Sequence, residues 1–431
     1  MSNHYMRPGS EKAVQNRLLL FLFLLISGSV SAQTASKDLK DVYLEWKHDT
    51  LQKPEARLAV GKSYISVLPF IGYAPANGFV AGGALSYSRL LGHPPTNLST
   101  LMMNFQVTSK KQLIINARSK VFFDHNKWFL QGDWRLLFFT QPTYGLGIDN
   151  SEENRTTFHI NTLVEETSPA GEDMNYNQLR FYEEAGVKLG ESDFFASFGI
   201  AIDQHFKIVD KRLNTDPQSP DFYITNHYKY SVTNNFNPEK YGTQGLRFTL
   251  LTDTRDNEAN CFKGYFASVS VLQNVKIGEN SQKSTQLFYD ARYYWPFLPR
   301  NPGHVLAYWG WGTFLMAGSM PYLALPSIGW DTYNRSGRGF IQGRYRGLSM
   351  VYNEAEYRFP ITRNRLFGGV LFTNVTTASS DSQQLFDAVG IGYGAGLRLQ
   401  IDKLARTNFG VDFGIGSDGS TGIYFNLQET F

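Results

Sequence analysis

Hydrophobic and polar positions alternate one by one along most of the chain. In residues 113–121, apolar side chains such as Ile115 occupy one face of an extended strand, and Arg118 and Lys120 occupy the other. The same period of two runs through residues 287–295. Beyond one apolar run near the N-terminus, no stretch approaches the roughly 20 apolar residues that a membrane-spanning helix needs. The pattern therefore predicts an all-β protein.

Two all-β architectures fit this alternation. A soluble β-sandwich also alternates. Three features favour a transmembrane barrel with a polar lumen and an aromatic girdle: the predicted strands are long, roughly ten to fifteen residues; aromatic residues cluster near strand ends; and the face opposite the apolar one carries full charges.

The chain divides into sixteen predicted strands, and single-chain bacterial barrels have an even number of strands. Connections after even-numbered strands are short, whereas three connections after odd-numbered strands are long, which predicts short periplasmic turns and long extracellular loops. The predicted strands are residues 65–75, 78–91, 96–109, 111–123, 127–141, 174–190, 193–208, 243–254, 262–276, 283–297, 304–318, 347–361, 364–376, 388–402, 406–416 and 420–431.

The N-terminus has the form of a secretory signal peptide over residues 1–32. Arg17 precedes a nine-residue apolar run, and small residues precede the predicted cut. Residues 33–64 then form a short periplasmic segment before a barrel of residues 65–431. We expect one helix in this segment, which caps the periplasmic mouth or lies on the inner leaflet, because four residues share a helical face: Leu39, Val42, Tyr43 and Trp46.

Charge and cysteine content exclude two classes of protein. The chain carries a net charge of +3, and removal of the signal peptide takes away a net +2 and leaves about +1. This charge does not indicate a basic surface that binds nucleic acid. The single cysteine, Cys261, cannot form an intramolecular disulfide. We therefore expect an exported barrel of the bacterial outer membrane, without disulfide cross-links.

The final residues have the pattern of a last barrel strand. Gly422, Phe425 and Leu427 occupy its glycine and apolar positions, and Phe431 is the terminal aromatic that often marks such proteins for assembly. Glu429 falls on the outward phase, and we expect it at the membrane interface, where a charge costs little.

Four segments together resemble the BamA/TamA superfamily, the bacterial surface-antigen barrels. They are LPFIGYAPANGFVAGGALSYS (68–88), TDTRDNEANCFKGYFASVSV (252–271), GRGFIQGRYRG (337–347) and YNEAEYRFPI (352–361). The resemblance covers the whole predicted barrel. It implies a barrel-only member, because residues 33–64 are too few for one of the periplasmic POTRA domains that usually precede these barrels.

The resemblance also implies that the sixth extracellular loop folds into the lumen and places an Arg-Gly-Phe tip against the inner wall. Arg338 stands between Gly337 and Gly339, which permit a tight turn and close backbone approach, and Phe340 follows. We expect Phe340 to pack beside the arginine.

A guanidinium inside the lumen needs a carboxylate partner. The predicted twelfth strand offers Glu356 and Glu354 on its inward phase, and Glu356 is the expected partner of Arg338. On the thirteenth strand, Asn374 stands where the family often has aspartate, so we expect ionic partners from the twelfth strand only.

Other charged residues admit more than one interpretation. Without the lumenal role, this loop would be a mobile surface loop that binds lipopolysaccharide phosphates, and Arg335, Arg344 and Arg346 remain candidates for that contact. The run TDTRDN forms either a lumenal or periplasmic charge cluster or, as we favour, a solvated turn that fixes strand register; its charged residues are Asp253, Arg255 and Asp256.

Closing the barrel pairs the first strand with the sixteenth. Pro69 cannot donate to the ladder, and the last two strands are rich in glycine, Gly422 included. A missing ladder bond costs about 1 kcal/mol in water and more in lipid, so these residues predict a weak seam. Alternatively, Pro69 merely starts its strand and the glycines relieve crowding. The resemblance favours the weak seam, since family members insert or pass other chains there.

Catalytic motifs are missing from the sequence. It has no G-x-S-x-G or H-E-x-x-H run, and its eight histidines are scattered, so we expect no enzymatic activity, metal or cofactor. The expected function is insertion, assembly or translocation of proteins or lipids. Expected partners are outer-membrane lipids and lipopolysaccharide, client outer-membrane proteins and periplasmic accessory proteins. A passive pore or structural barrel is the alternative, and an outer-membrane lipase is a remote one.

Overall fold

Sixteen antiparallel strands form one continuous sheet in which each strand pairs with its neighbours in sequence. The computed structural model describes residues 36–47, 59–74, 78–93, 96–148, 171–298, 301, 303–332 and 334–431. The predicted signal peptide, residues 1–32, and part of the segment 33–64 lie outside the described residues. The sheet has the strand number and pairing of the predicted all-β barrel.

The strand bounds follow the predicted ones closely except at the C-terminus. The strands are β1 (Ser63–Ala74), β2 (Gly78–Arg89), β3 (Ser99–Thr108), β4 (Leu113–Phe122), β5 (Trp128–Thr143), β6 (Glu172–Lys188), β7 (Phe194–Asp210), β8 (Lys240–Asp253), β9 (Gly264–Asn274), β10 (Ser284–Pro296), β11 (Val305–Gly318), β12 (Ser349–Pro360), β13 (Phe367–Ala378), β14 (Gly390–Asp402), β15 (Thr407–Gly416) and β16 (Thr421–Leu427).

The two faces of the strands differ as a membrane barrel requires. On β7, Phe198 and Ile200 are exposed on the outer surface, whereas Ser197 and Asp203 are buried on the inner one. Large apolar side chains face outward and polar side chains face inward, the reverse of a soluble protein. The outer surface therefore fits a lipid environment.

The described residues include two α-helices besides the strands. Helix α1 (Leu39–Trp46) begins at Asp38, whose side chain accepts from the Asp41 backbone while Asp41 bonds back to Asp38, a reciprocal cap. Helix α2 (Asn226–Thr233) lies between β7 and β8 and is capped by Thr225. Within the described ranges, no helix is both long and apolar enough to cross a membrane.

Aromatic and charged side chains fill much of the barrel interior. One buried cluster joins Trp309 and Tyr352 to Phe340 of the loop between β11 and β12 and to the terminal Phe431. An interior cavity of about 280 Å³ remains, lined in part by this loop and by residues 428–431. The loop and the C-terminus thus occupy space that an open pore would leave to water.

Candidate functional site

Arg338 lies in the loop between β11 and β12, and its side chain is only 2% exposed. Its Nη2 contacts the carboxylates of Glu354 and Glu356 on β12, and its Nη1 lies 2.8 Å from Asp412 Oδ2 on β15. The guanidinium also stacks over the ring of Phe372, 3.7 Å from the ring centroid. One side chain therefore joins the loop to three strands of the barrel, β12, β13 and β15.

The backbone conformation of the loop tip and its closeness to the barrel wall require glycine at two positions. Gly337 and Gly339 have φ angles of +79° and +109°, a region that side chains with a Cβ disfavour. A Cβ on Gly339 would lie 2.7 Å from the backbone carbonyl of Ile415 on β15. The glycines let the loop backbone lie directly against the wall.

The expectation that ionic partners come from the twelfth strand alone is wrong. Asp412 on β15 is buried and contacts both Arg338 and Arg398. Asn374 does not contact the guanidinium; its Nδ2 donates to the backbone oxygen of Arg338 at 2.9 Å. Asp412 supplies a negative charge that Asn374 does not, and the inward positions on either side of it along β15 are glycines, Gly410 and Gly414.

The ionic cluster extends beyond Arg338. Arg358 lies 2.7 Å from Glu356, and Arg398 lies 2.8 Å from Glu429. Three arginines thus meet four carboxylates, all of them buried: Arg338, Arg358 and Arg398 with Glu354, Glu356, Asp412 and Glu429. Burying charges costs several kcal/mol per ion, and removing one partner leaves that cost uncompensated. We refer to these seven residues as the lumenal ionic cluster.

The loop tip also binds the last strand. The Tyr424 hydroxyl on β16 accepts from Gly339 N at 2.9 Å and donates to Phe340 O at 3.1 Å. Ser420 Oγ donates to Gly339 O at 2.7 Å. The Phe340 ring packs edge-on against Tyr345, with ring centroids 5.2 Å apart. Tyr424 therefore faces inward, and the loop tip holds β16 from inside the barrel.

The remaining arginines of the loop bond to groups within the protein. Arg344 and Arg346 are buried; Arg344 pairs with Asp418 at 3.1 Å, and Arg346 donates to Tyr322 O at 3.0 Å. Arg335 is half-buried and donates to backbone oxygens of the C-terminus. The interpretation of Arg344 and Arg346 as a lipopolysaccharide contact is therefore wrong, because both are buried against internal partners; for Arg335 it stays a prediction.

The C-terminus departs from the predicted last strand. Strand β16 ends at Leu427, and Gln428 has a φ of +83°, which turns the chain out of the sheet. Residues 428–431, the C-terminal tail, then enter the lumen. Glu429 is buried and bonded to Arg398 and Asn408, so its expected place at the membrane interface is wrong.

The tail ends on an aromatic residue in the barrel core. The Phe431 ring lies 5.4 Å from the Trp309 ring and 6.1 Å from the Tyr294 ring, and the main-chain oxygen of Phe431 accepts from Arg358 Nη2 at 3.0 Å. By contrast, Phe425 faces outward and stacks on Phe409. The structure therefore separates the residues of the predicted assembly signal between the lipid face and the lumen.

The sheet has two free edges. In the described residues, β1 pairs only with β2, and β16 pairs only with β15. Pro69 pairs with Gly83 in the middle of β1, so the interpretation that it merely starts the strand is wrong. Gly422 pairs with Gly414 on β15. A side-chain bond from Gln428 to Ser86 of β2, 3.1 Å long, reaches across from the tail.

The TDTRDN run divides between two environments. Asp253 accepts from Arg255 at 2.7 Å and from Lys120 of β4 at 3.1 Å, and Arg255 is almost fully buried. Asp256 instead bonds to Arg406 of the β14–β15 turn at 2.7 Å. Asp253 and Arg255 belong to a lumenal charge cluster rather than to a solvated turn. Asp256 instead links the β8–β9 connection to the β14–β15 turn.

Comparison with known proteins gives one family and one fold. The description "Omp85 superfamily domain" matches residues 115–431. Among solved structures, BamA from Haemophilus ducreyi lacking POTRA domains 1–3 is similar at a TM-score of 0.52 and 12% identity, over 85% of this chain and 70% of that one.

Two further structures are similar. CdiB from Acinetobacter baumannii matches at a TM-score of 0.50 and 13% identity, over 85% of this chain and 60% of its own. CdiB from Escherichia coli matches at 0.50 and 9% identity, over 86% and 62%. At such identities the likeness shows the fold alone. No curated protein matches the sequence.

Proposed function

Because the chain belongs to the Omp85 superfamily of outer-membrane barrels, we propose that it inserts, assembles or translocates proteins or lipids at the bacterial outer membrane. The free edges of β1 and β16 carry this proposal. Unpaired edge strands offer backbone donors and acceptors to another chain. In lipid, where no water satisfies them, that tendency is stronger.

The lumenal ionic cluster would act as the lock of this device. Arg338 ties the loop to β12 and β15, and Tyr424 ties the same loop tip to β16. Strand β16 is therefore held from inside the lumen while its outer edge stays unpaired. Strand β16 could therefore separate from β1 while the rest of the barrel stays intact, because the loop tip holds β16 to β12 and β15 from the lumen.

A passive pore or structural barrel is the second candidate. The interior favours it less, since the loop between β11 and β12 and the C-terminal tail occupy part of the lumen and line its cavity.

A non-enzymatic role agrees with the family. His227, fully buried, bonds to Asp210 and Tyr241 rather than serving an exposed nucleophile.

Depletion of the protein from cells tests the proposal. We expect the abundance of other outer-membrane proteins or of surface lipids to change, and purified protein in planar bilayers to show no steady large conductance. Unchanged outer-membrane composition together with steady conductance would favour the pore. Hydrolysis of lipid by the purified protein would overturn both.

A further inference from the structure

Helix α1 is fastened to one rim of the barrel through its polar face. Asp38 Oδ2 accepts from the backbone of Lys403 at 3.1 Å, and Asp41 pairs with the Lys403 side chain at 2.7 Å, in the β14–β15 turn. Just before the helix, the Lys37 backbone donates to Asn364 in the β12–β13 turn at 2.9 Å. These are short turns, which in this fold lie on the periplasmic side.

The apolar face of the same helix has no cover among the described residues. Its four members repeat at the helical spacing, and Trp46 is 75% exposed. They are Leu39, Val42, Tyr43 and Trp46, all exposed. A tryptophan and a tyrosine left open on a tethered helix are unusual in water but normal at the boundary between lipid and water.

The neighbouring surface points to lipid as the partner. Helix α1 contacts β14, whose outward residues Tyr393 and Leu397 are exposed on the lipid-facing side of the sheet. The anchored helix therefore lies at the periplasmic end of β14, a strand whose outer face is exposed to lipid.

The charges of the helix agree with a membrane surface. Asp41 is neutralised by Lys403, and Glu45 contacts Lys37. Lys40 and Lys47 stay exposed, and the Lys47 ammonium lies 4.8 Å from the centre of the Tyr43 ring. Aromatic residues with flanking lysines are typical of helices that lie in the interface plane.

We propose that α1 is an in-plane membrane anchor whose apolar face binds phospholipid of the periplasmic leaflet of the outer membrane, beside β14. Its binding sets the position of the boundary between lipid and water beside β14, next to the last two strands of the barrel. The anchor does not depend on whether the seam opens, so it can fail or hold independently of the proposed function.

Depth-dependent quenching tests the anchor. A Trp46→Cys variant and a matched Glu45→Cys variant, both in a Cys261→Ser background, are labelled with an environment-sensitive fluorophore. Each full-length protein is placed in vesicles of phosphatidylethanolamine and phosphatidylglycerol that contain nitroxide lipid. Insertion of both is checked by heat-modifiable migration on gels.

We expect nitroxide lipid to quench the label at position 46 at least twofold more than the label at 45, and aqueous iodide to show the opposite order. Equal quenching by iodide and none by lipid would overturn the anchor, because the face would then be in water. Protection at position 46 from both quenchers would also overturn it and would indicate a protein partner or another segment of the chain.

Discussion

The guanidinium of Arg338 lies 2.8 Å from the carboxylate of Asp412, although one residue belongs to a loop and the other to β15. The same guanidinium contacts Glu354 and Glu356 on β12. A single loop residue thus bridges β12 and β15, which are separated in the sheet by β13 and β14. The loss of that residue is the simplest test of the lock.

Arg338→Ala is expected to insert but to lose loop order and stability. It leaves two arginines against four buried carboxylates, and breaking such a buried pair costs about 3–5 kcal/mol. The measurement is the temperature at which the barrel loses its heat-modifiable migration, together with protease cleavage of the loop. Arg363→Ala, an exposed residue of the β12–β13 turn, is the control. A variant that equals wild type in both measurements would refute the lock.

Asp412→Asn is expected to be milder than Arg338→Ala. It leaves three arginines with three carboxylates, so no net charge is stranded in the cluster. The double variant should be more stable than the sum of the two losses predicts, by a coupling of roughly 0.5–3 kcal/mol. The same melting measurement on the four proteins gives the coupling. Strictly additive losses would mean that the two residues do not act together.

Phe431→Ala is expected to lower stability without preventing insertion. The ring packs between Trp309 and Tyr294, and emptying such a site costs about 3–5 kcal/mol. Phe425→Ala, on the lipid face, is the comparison. If Phe431 serves mainly as an assembly signal, its variant will instead fail to reach the membrane while Phe425→Ala inserts. Fractionation and gel migration distinguish the two results.

Cys261 is expected to be almost inert toward maleimide in the folded protein. Burial raises the pKa of its thiol, in the connection between β8 and β9, to about 12. At pH 8 only roughly one molecule in ten thousand would carry the reactive thiolate. Because the folded state favours the neutral thiol, its contribution to the free energy of unfolding is fully present below the unfolded pKa of about 8.5. That contribution is lost as the pH rises toward the pKa of the thiol in the folded protein. Labelling at pH 8 as fast as for a free thiol would contradict this burial.

The barrel could be predicted from the sequence because a two-residue period governs both of its faces. Strand β10 was expected at residues 283–297 and lies at Ser284–Pro296. Each position on it faces lipid or lumen, so hydrophobicity reports its orientation directly. The contact of Arg338 with Glu356 could be anticipated from the family resemblance, since glycines flank the arginine and β12 carries inward glutamates.

The C-terminus could not be predicted in the same way. The two-residue period of apolar and polar positions extends β16 to Phe431 and places Glu429 on the outward face. It misses the turn at Gln428, because no glycine or proline marks that turn in the sequence. The internal partners of Glu429, Arg398 and Asn408, lie on other strands, and periodicity carries no information about them. Asp412 was identifiable in principle, as a lone inward carboxylate on a glycine-rich strand.

Cross-linking the two free edges tests the central claim most directly. Ile71 of β1 and Ile423 of β16 both face outward, whereas Tyr424 faces the lumen, so we choose Ile71→Cys with Ile423→Cys in a Cys261→Ser background. The control is Val67→Cys with Leu85→Cys, which joins the already paired strands β1 and β2.

Both pairs are oxidised in cells, and growth and outer-membrane protein levels are compared with the reduced state. The proposed function predicts that closing the β1–β16 seam abolishes function and that reduction restores it, while the control bond has no effect. Full function with the seam demonstrably cross-linked would contradict a working seam.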